Sequence, residues 1–306
     1  MVTGAAGMVG SAIVRRLQRA GYGEVRPITR READLTRQSE TLDILEREQP
    51  EYLFVASARV GGIHANSTYP AQFLYENLMI ENNIIHGAYV CGVSKLLFLG
   101  SSCIYPRLAS QPITEDALLS DRLEPTNEAY AIAKIAGIKL CDSYHQQYGC
   151  RFVSAMPTNI YGPGDNFDLQ NSHVIPALLR RFHEARVKAQ STVTCWGTGN
   201  ARREFLLVDD LADALVFLMT NFEGPGFLNV GTGEDLPIRD LAELTARTVG
   251  FEGRIEWDDA KPDGVPRKLL NVERLHALGW RHQTSLTDGL ETTYQWYLAH
   301  QNTVRK

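Results

Sequence analysis

Over the first hundred residues the apolar positions follow two alternating periods. Glu24–Thr29, Tyr52–Ala56 and Lys95–Leu99 are short runs rich in branched and aromatic residues, with the length and bounding turns of strands. Between them, Ser11–Arg19, Ser39–Glu48 and Ala71–Tyr89 space their apolar residues as a helix with one buried face does. This alternation predicts an α/β protein, a doubly wound parallel sheet with crossover helices. Strands commonly run about five to six residues, yet only Met1, Val2 and Thr3 stand before the glycine at position 4. The opening residues of the first strand are therefore expected upstream of this numbering. Beyond Pro157 the pattern loosens into Gly-, Pro- and Asn-rich turns, at Tyr161–Asn166 and Trp196–Asn200, between short helices and strands. A smaller α/β lobe that closes over a ligand would read this way.

Composition narrows the possibilities. The 306 residues are 44% hydrophobic and 22% charged, which suits a globular chain and excludes a disordered or fibrous one. A net charge of -5 offers no broad attraction to nucleic acid or an anionic membrane, so basic groups are expected to act locally. The longest apolar runs, such as Leu96–Leu99, fall far short of the roughly 20 residues that span a bilayer. The five cysteines, at 91, 103, 141, 150 and 195, are odd in number and lack metal-ligand spacing. Reduced thiols, a cytoplasmic location and no metal are expected. No signal peptide is expected either, because a motif begins at Gly4.

That motif is Val2-Thr3-Gly4-Ala5-Ala6-Gly7-Met8-Val9-Gly10, three glycines directly before a helical stretch. Glycine permits a tight turn and lets backbone amides approach a pyrophosphate at the helix N-terminus, although three spaced glycines can also be turn chemistry alone. About 20 residues past Gly10, where an acidic side chain would hold the ribose of NAD, stand Arg30 and Arg31. Arginine there suits the 2′-phosphate of NADP, unless both are simply solvated. Asp34 and Leu35 follow and could flank the adenine. The expected division is a nucleotide-binding domain over 1–158, completed by part of 205–222, and a substrate-binding lobe over most of 159–306.

Tyr130-Ala131-Ile132-Ala133-Lys134 puts a phenol and an ammonium on one face of a helix, about one turn apart. A nearby cation favours phenolate, so such a tyrosine can exchange a proton with a carbonyl or alcohol near neutral pH. Gly100-Ser101-Ser102-Cys103-Ile104-Tyr105 follows an apolar strand, at the carboxyl edge where such sheets bind ligands.

The glycine loop, Ser101-Ser102-x-x-Tyr105 and Tyr130-x-x-x-Lys134, in this order, resemble the extended short-chain dehydrogenase/reductase family and its Rossmann-type fold. Further strings narrow the resemblance: Val60-Gly61-Gly62-Ile63, Ser101–Pro106, Glu124-Pro125-Thr126-Asn127-Glu128, Pro157-Thr158-Asn159, Asn171-Ser172-His173-Val174-Ile175-Pro176 and Lys261-Pro262-Asp263-Gly264. They are similar to the branch of GDP-sugar epimerase-reductases that converts GDP-4-keto-6-deoxy-D-mannose into GDP-L-fucose, and the likeness covers nearly the whole chain. The resemblance implies that Ser101 bonds the 4-keto oxygen, Tyr130 donates its proton and Lys134 holds the nicotinamide ribose. It makes Cys103 and His173 the pair that inverts C3 and C5, a thiol and an imidazole whose ordinary pKa values straddle neutrality. It adds Ser102, Pro157, Asn159 and His173 to the NADP contacts, and Asn159, Arg181, Trp196, Arg203 and Lys268 to the GDP-sugar contacts. Some relatives carry arginine at the position of Ala6, so here the 2′-phosphate is left to Arg30 and Arg31. The resemblance also implies a homodimer in which helices near Ala71–Tyr89 and Glu128–Tyr148 form a four-helix bundle.

Other readings remain at this stage. Cys103 could be a small buried hydrophobe, His173 a helix cap, Arg181 part of a solvated face and Trp196 a core aromatic. A nucleotide-sugar 4-epimerase or 4,6-dehydratase shares the glycine loop and Tyr130/Lys134 but has no use for a proton-shuttling pair at C3 and C5. A non-catalytic NADP-sensing regulator would not need Ser101, Tyr130 and Lys134 together.

Overall fold

The computed structural model describes residues 1–169, 172–261 and 264–304. The first half alternates as the periodicity predicts: β1 (Val2–Thr3), α1 (Met8–Arg19), β2 (Pro27–Ile28), α2 (Gln38–Glu48), β3 (Tyr52–Val55), a short α3 (Ile63–Thr68), α4 (Pro70–Val90), β4 (Lys95–Leu99), α5 (Glu128–Tyr148) and β5 (Arg151–Pro157). The second half runs β6 (Asn159–Tyr161), α6 (Val174–Val187), β7 (Thr192–Trp196), β8 (Arg202–Arg203), β9 (Phe205–Leu207), α7 (Val208–Asn221) and β10 (Phe227–Val230). It closes with β11 (Leu236–Pro237), α8 (Ile238–Val249), β12 (Arg254–Asp258), β13 (Arg267–Lys268), α9 (Glu273–Ala277) and α10 (Leu286–His300).

Strand β4 shows why this sequence makes a doubly covered sheet. Leu96 and Phe98 point into one core, with Ile84 of α4 and Ile138 of α5, while Leu97 and Leu99 point into another, with Ile13 of α1 and Leu215 of α7. Alternate side chains of a strand face opposite ways, so a strand covered on both faces must be apolar at successive positions. Lys95 opens the run and is itself buried, its ammonium satisfied by the carbonyl of Phe222 at 2.6 Å and by Glu223 at 3.1 Å. A third core joins α6, α8 and α10 through Leu178, Phe182, Leu241 and Leu290.

The central sheet has six parallel strands in the order β10-β5-β4-β3-β1-β2. Chain order reverses between β1 and β3, the place where ligands bind at the carboxyl ends of such sheets. Two boundaries differ from the sequence expectation. The strand expected over Glu24–Thr29 narrows to Pro27–Ile28, because it is an edge strand preceded by an exposed turn in which Gly21 takes φ +82°. Of the stretch 205–222, α7 packs on α1, but β9 pairs with β6, and the strand that completes the central sheet is β10. Among the described residues no helix is long and apolar enough to cross a membrane.

Candidate active site

The glycine loop lies at the sheet's reversal point. Gly4 takes φ +69°, and a Cβ on it would fall 2.6 Å from the carbonyl oxygen of Ala56, just past β3. A Cβ on Gly10 would fall 2.2 Å from the Gly4 carbonyl oxygen, so the turn can close on α1 only without side chains at these positions. Gly7 is the N-cap and offers no side chain to the first turn of α1, which holds no acidic residue. Ala5 donates to the Ile28 carbonyl at 3.1 Å and so locks the loop to β2. Ala6 and Gly7 are exposed, and Met8 and Val9 half-buried. A helix start of this kind, with partnerless amides and the positive end of the helix dipole, fits the pyrophosphate of a dinucleotide.

Arg30 and Arg31 are exposed beyond β2. The Arg30 guanidinium lies 3.8 Å from Glu76, a loose ion pair with 79% of its side chain exposed. Glu76 is held more closely by Arg59, at 2.6 Å. Arg30 is therefore within reach of an incoming anion. Asp34 accepts bonds from Thr36, which hold its carboxyl below the usual range, and Leu35 is buried beneath it.

The turn after β4 carries the serines and the thiol. Ser101 is the extended N-cap of a short 3-10 turn, and its Oγ accepts from the Cys103 amide at 3.4 Å. Ser102 and Cys103 are buried. Tyr105 donates to Asn229 Oδ1 of β10 at 2.5 Å, and Asn229 donates in turn to the carbonyls of Ile113 and Asn271, which ties this loop to the sheet edge. On α5, Tyr130 is half-buried and Lys134 almost wholly buried. Burial pushes the Tyr130 phenol well above its ordinary value, and the nearby Cys103 and Glu81 add to the shift. Burial thus opposes the phenolate expected from the Tyr130/Lys134 spacing, and the Lys134 ammonium lies 2.9 Å from Glu81.

Cys103 opens onto a cavity of about 60 Å³ that it shares with Glu124, Asn127 and Lys268. Burial pushes its thiol up, while Lys268, Ser101 and Lys134 pull it back. Lys268 is placed by a small sheet, β11-β8-β13, in which Arg267 and Lys268 run beside Arg202 and Arg203. Arg202 and Arg267 both bond the buried Asp235, so this pair is structural. Arg203 and Lys268 are the alternate residues and face the other way. Burial lowers the Lys268 ammonium, which is still sensitive to Cys103, Arg203 and Glu124.

His173 is the exposed N-cap of α6, without a side-chain cap bond, and partial desolvation lowers its imidazole. Trp196 is exposed rather than a core aromatic, with the Arg181 guanidinium 5.2 Å and the Lys261 ammonium 5.8 Å from its ring centroid. Pro157 ends β5, and Asn159 donates to the Glu204 carbonyl at 2.8 Å. Asn171, Pro262 and Asp263, which belong to two of the strings quoted above, lie outside the described residues.

Several shaping residues were not foreseen. Glu81 is one, although a carboxylate directly after the apolar run Leu78-Met79-Ile80 was a visible signal. Glu204 is another: wholly buried, it accepts from the amides of Thr232, Gly233 and Leu270 and so fixes the chain that leads from Lys268. The third is Asp165, in the turn against the head of α1, where a Cβ on Gly164 would touch Met8. Its Oδ1 accepts from Asn166 at 2.7 Å, its Oδ2 is buried without a hydrogen-bond partner, and burial pushes the carboxyl up to about 7.

Against known proteins, residues 1–231 match the NAD dependent epimerase/dehydratase family. The chain is 57% identical over 297 residues to GDP-L-fucose synthase 1 of Arabidopsis thaliana, covering 97% of this chain and 92% of that one. It is 54% identical over 313 residues to GDP-L-fucose synthase of Escherichia coli (strain K12), covering 99% and 98%. Among solved structures, a GDP-L-fucose synthetase from Naegleria fowleri bound to NADP superposes with a TM-score of 0.91 at 26% identity, covering 100% of this chain and 95% of that one.

Proposed function

The chain belongs to the NAD dependent epimerase/dehydratase family and to its GDP-L-fucose synthases, and from that premise we propose how its residues divide the work of making GDP-L-fucose with NADP as cofactor. The substrate is GDP-4-keto-6-deoxy-D-mannose, inverted at C3 and C5 and reduced at C4. The observation that carries the reading is that Cys103, just after β4, lines one cavity with Lys268 of β13 and lies close enough to Tyr130 and Lys134 of α5 to interact electrostatically with both.

The glycine-loop residues Gly4–Gly10 hold the pyrophosphate, Arg30 the 2′-phosphate, Asp34 and Leu35 the adenosine end, and Ser102, Pro157, Asn159 and His173 the remainder of NADP. When bound, NADPH supplies the hydride for the ketone. Ser101 bonds the ketone oxygen, and Tyr130, held protonated, passes its proton to that oxygen as negative charge develops there. Lys134 holds the nicotinamide ribose. Cys103 and His173 trade protons with C3 and C5, whose hydrogens are acidified by the adjacent ketone. Arg203 and Lys268 neutralise the diphosphate, and Trp196 backed by Arg181 offers a face to the nucleotide. Incubation with GDP-4-keto-6-deoxymannose and NADPH should bleach the reduced-nicotinamide band in step with deoxysugar formation; no bleaching by folded protein would sink the reading.

The domain division at 158/159 serves this arrangement, cofactor on one side and nucleotide sugar on the other. The working unit is a homodimer through α4 and α5, which expose Tyr75 and Tyr89, and Ile132 and Tyr148. Apolar rings on paired helices suit a four-helix bundle. Light scattering should give the mass of two chains at micromolar concentration, and a one-chain mass would refute the dimer. Five free cysteines and a nucleotide-sugar substrate suit the cytoplasm, a location that cell fractionation would test.

A further inference from the structure

Lys134 has a seat of its own. Its ammonium stands 2.9 Å from Glu81 Oε1, and the two side chains are 2% and 1% exposed. It also lies over the Phe98 ring, 4.6 Å from the centroid, against 5.9 Å for the Tyr130 ring. Backbone packing makes the room. Gly137 follows Lys134 by about one turn of α5, and a Cβ there would come within 2.5 Å of the Phe98 ring and 3.0 Å of Glu81 Oε2. The carboxylate is thus held in the seam between α4 and α5, facing the ammonium.

We propose that Glu81 is a positioning residue for the reduction: its carboxylate balances the Lys134 ammonium, so that Tyr130 meets the ketone as an O–H donor and not as phenolate. The proposal rests on the reading of Tyr130 as proton donor given above. A bare ammonium in a poorly solvated seam draws a neighbouring phenol toward phenolate, whereas a close ion pair presents a much weaker field. Phenolate suits removal of a proton from an alcohol; giving a proton to a ketone needs the phenol. Burial raises the Glu81 carboxyl, and the Lys134 ammonium against it pulls it back. Glu81 from α4 and Cys103 from the turn after β4 both oppose ionisation of Tyr130. Cys141 of α5 faces Glu81. Lys268 of β13 reaches Cys103.

The test is the pH dependence of kcat/KM for ketone reduction in the full enzyme, for wild type, Glu81→Gln and Glu81→Asp, with Tyr130→Phe as control. In Glu81→Gln the alkaline limb should move down by at least about one pH unit, a tenfold loss of rate at a pH above it. Glu81→Asp keeps the charge and should return the limb most of the way. An unmoved limb in folded Glu81→Gln overturns the proposal even if the rate falls, because loosened packing lowers a rate without moving its pH dependence. Should Glu81→Gln fail to fold, alkaline ultraviolet difference titration of wild type against Tyr130→Phe reads the Tyr130 phenol directly: no phenolate is expected up to about pH 9, and a phenolate formed below that pH overturns the proposal. If Tyr130→Phe reduces the ketone at the wild-type rate, the underlying reading of Tyr130 fails instead. An inactive Tyr130→Phe beside an unmoved Glu81→Gln limb sinks the role of Glu81 alone.

Discussion

Asp165 couples pH to the stability of the turn that backs the head of α1. Burial raises its carboxyl to about 7 in the fold, from 3.8 in the unfolded chain. Between those values the folded protein binds the proton and the unfolded chain does not. The stability this group contributes is therefore complete below about pH 4, declines as pH rises through the window, and is lost above about pH 7. About three units at about 1.4 kcal/mol each set a ceiling of about 4 kcal/mol. Asp165→Asn keeps the shape and cannot ionise. The variant should match wild type below about pH 3.5, exceed it by about 1 kcal/mol at pH 4.5 and by up to about 4 kcal/mol at pH 8. Urea unfolding of both proteins across that range measures the difference. Parallel pH profiles, or an Asn variant that is the weaker protein at pH 8, would refute the argument.

Other outcomes follow from the same geometry. Arg30→Ala should raise KM for NADPH by one to two orders of magnitude, since charged hydrogen bonds are worth roughly 1.5–3 kcal/mol, and leave NADH use nearly unchanged; equal losses would mean a structural role. Tyr130→Phe should still exchange hydrogens at C3 and C5 with deuterated water while reducing the ketone at least about 100-fold more slowly. Cys103→Ser should do the reverse, and exchange at the wild-type rate would return Cys103 to a packing residue. Gly10→Ala drives a Cβ into the Gly4 carbonyl oxygen, so NADPH titration of the folded variant should show at least about a tenfold weaker Kd, comparable to one lost charged hydrogen bond; wild-type affinity would show that the loop can yield.

Local patterns in the chain were enough for the doubly wound class, because strand and helix periods are set by neighbours a few residues apart. Lys95–Leu99 as β4 and Ala71–Tyr89 as the body of α4 were readable in that way. So was the glycine loop, whose positions 4 and 10 admit no side chain. The edge strand β2 was overdrawn, since how far an edge pairs depends on its one partner and not on its own residues. What only the tertiary structure decided was the company each reactive group keeps. Spacing placed Tyr130 one turn from Lys134 and suggested a phenolate. The fold brought Glu81, distant in sequence, against that lysine and buried the phenol, which pushes it up. Likewise Arg202 and Arg203 are indistinguishable neighbours in the chain. Only the pairing of β8 with β13, around Asp235, separates the structural arginine from the one that faces the alternate side with Lys268. Charges act through space over a few ångströms, and contacts at that range between distant segments exist only after the sheet and its lobe have closed.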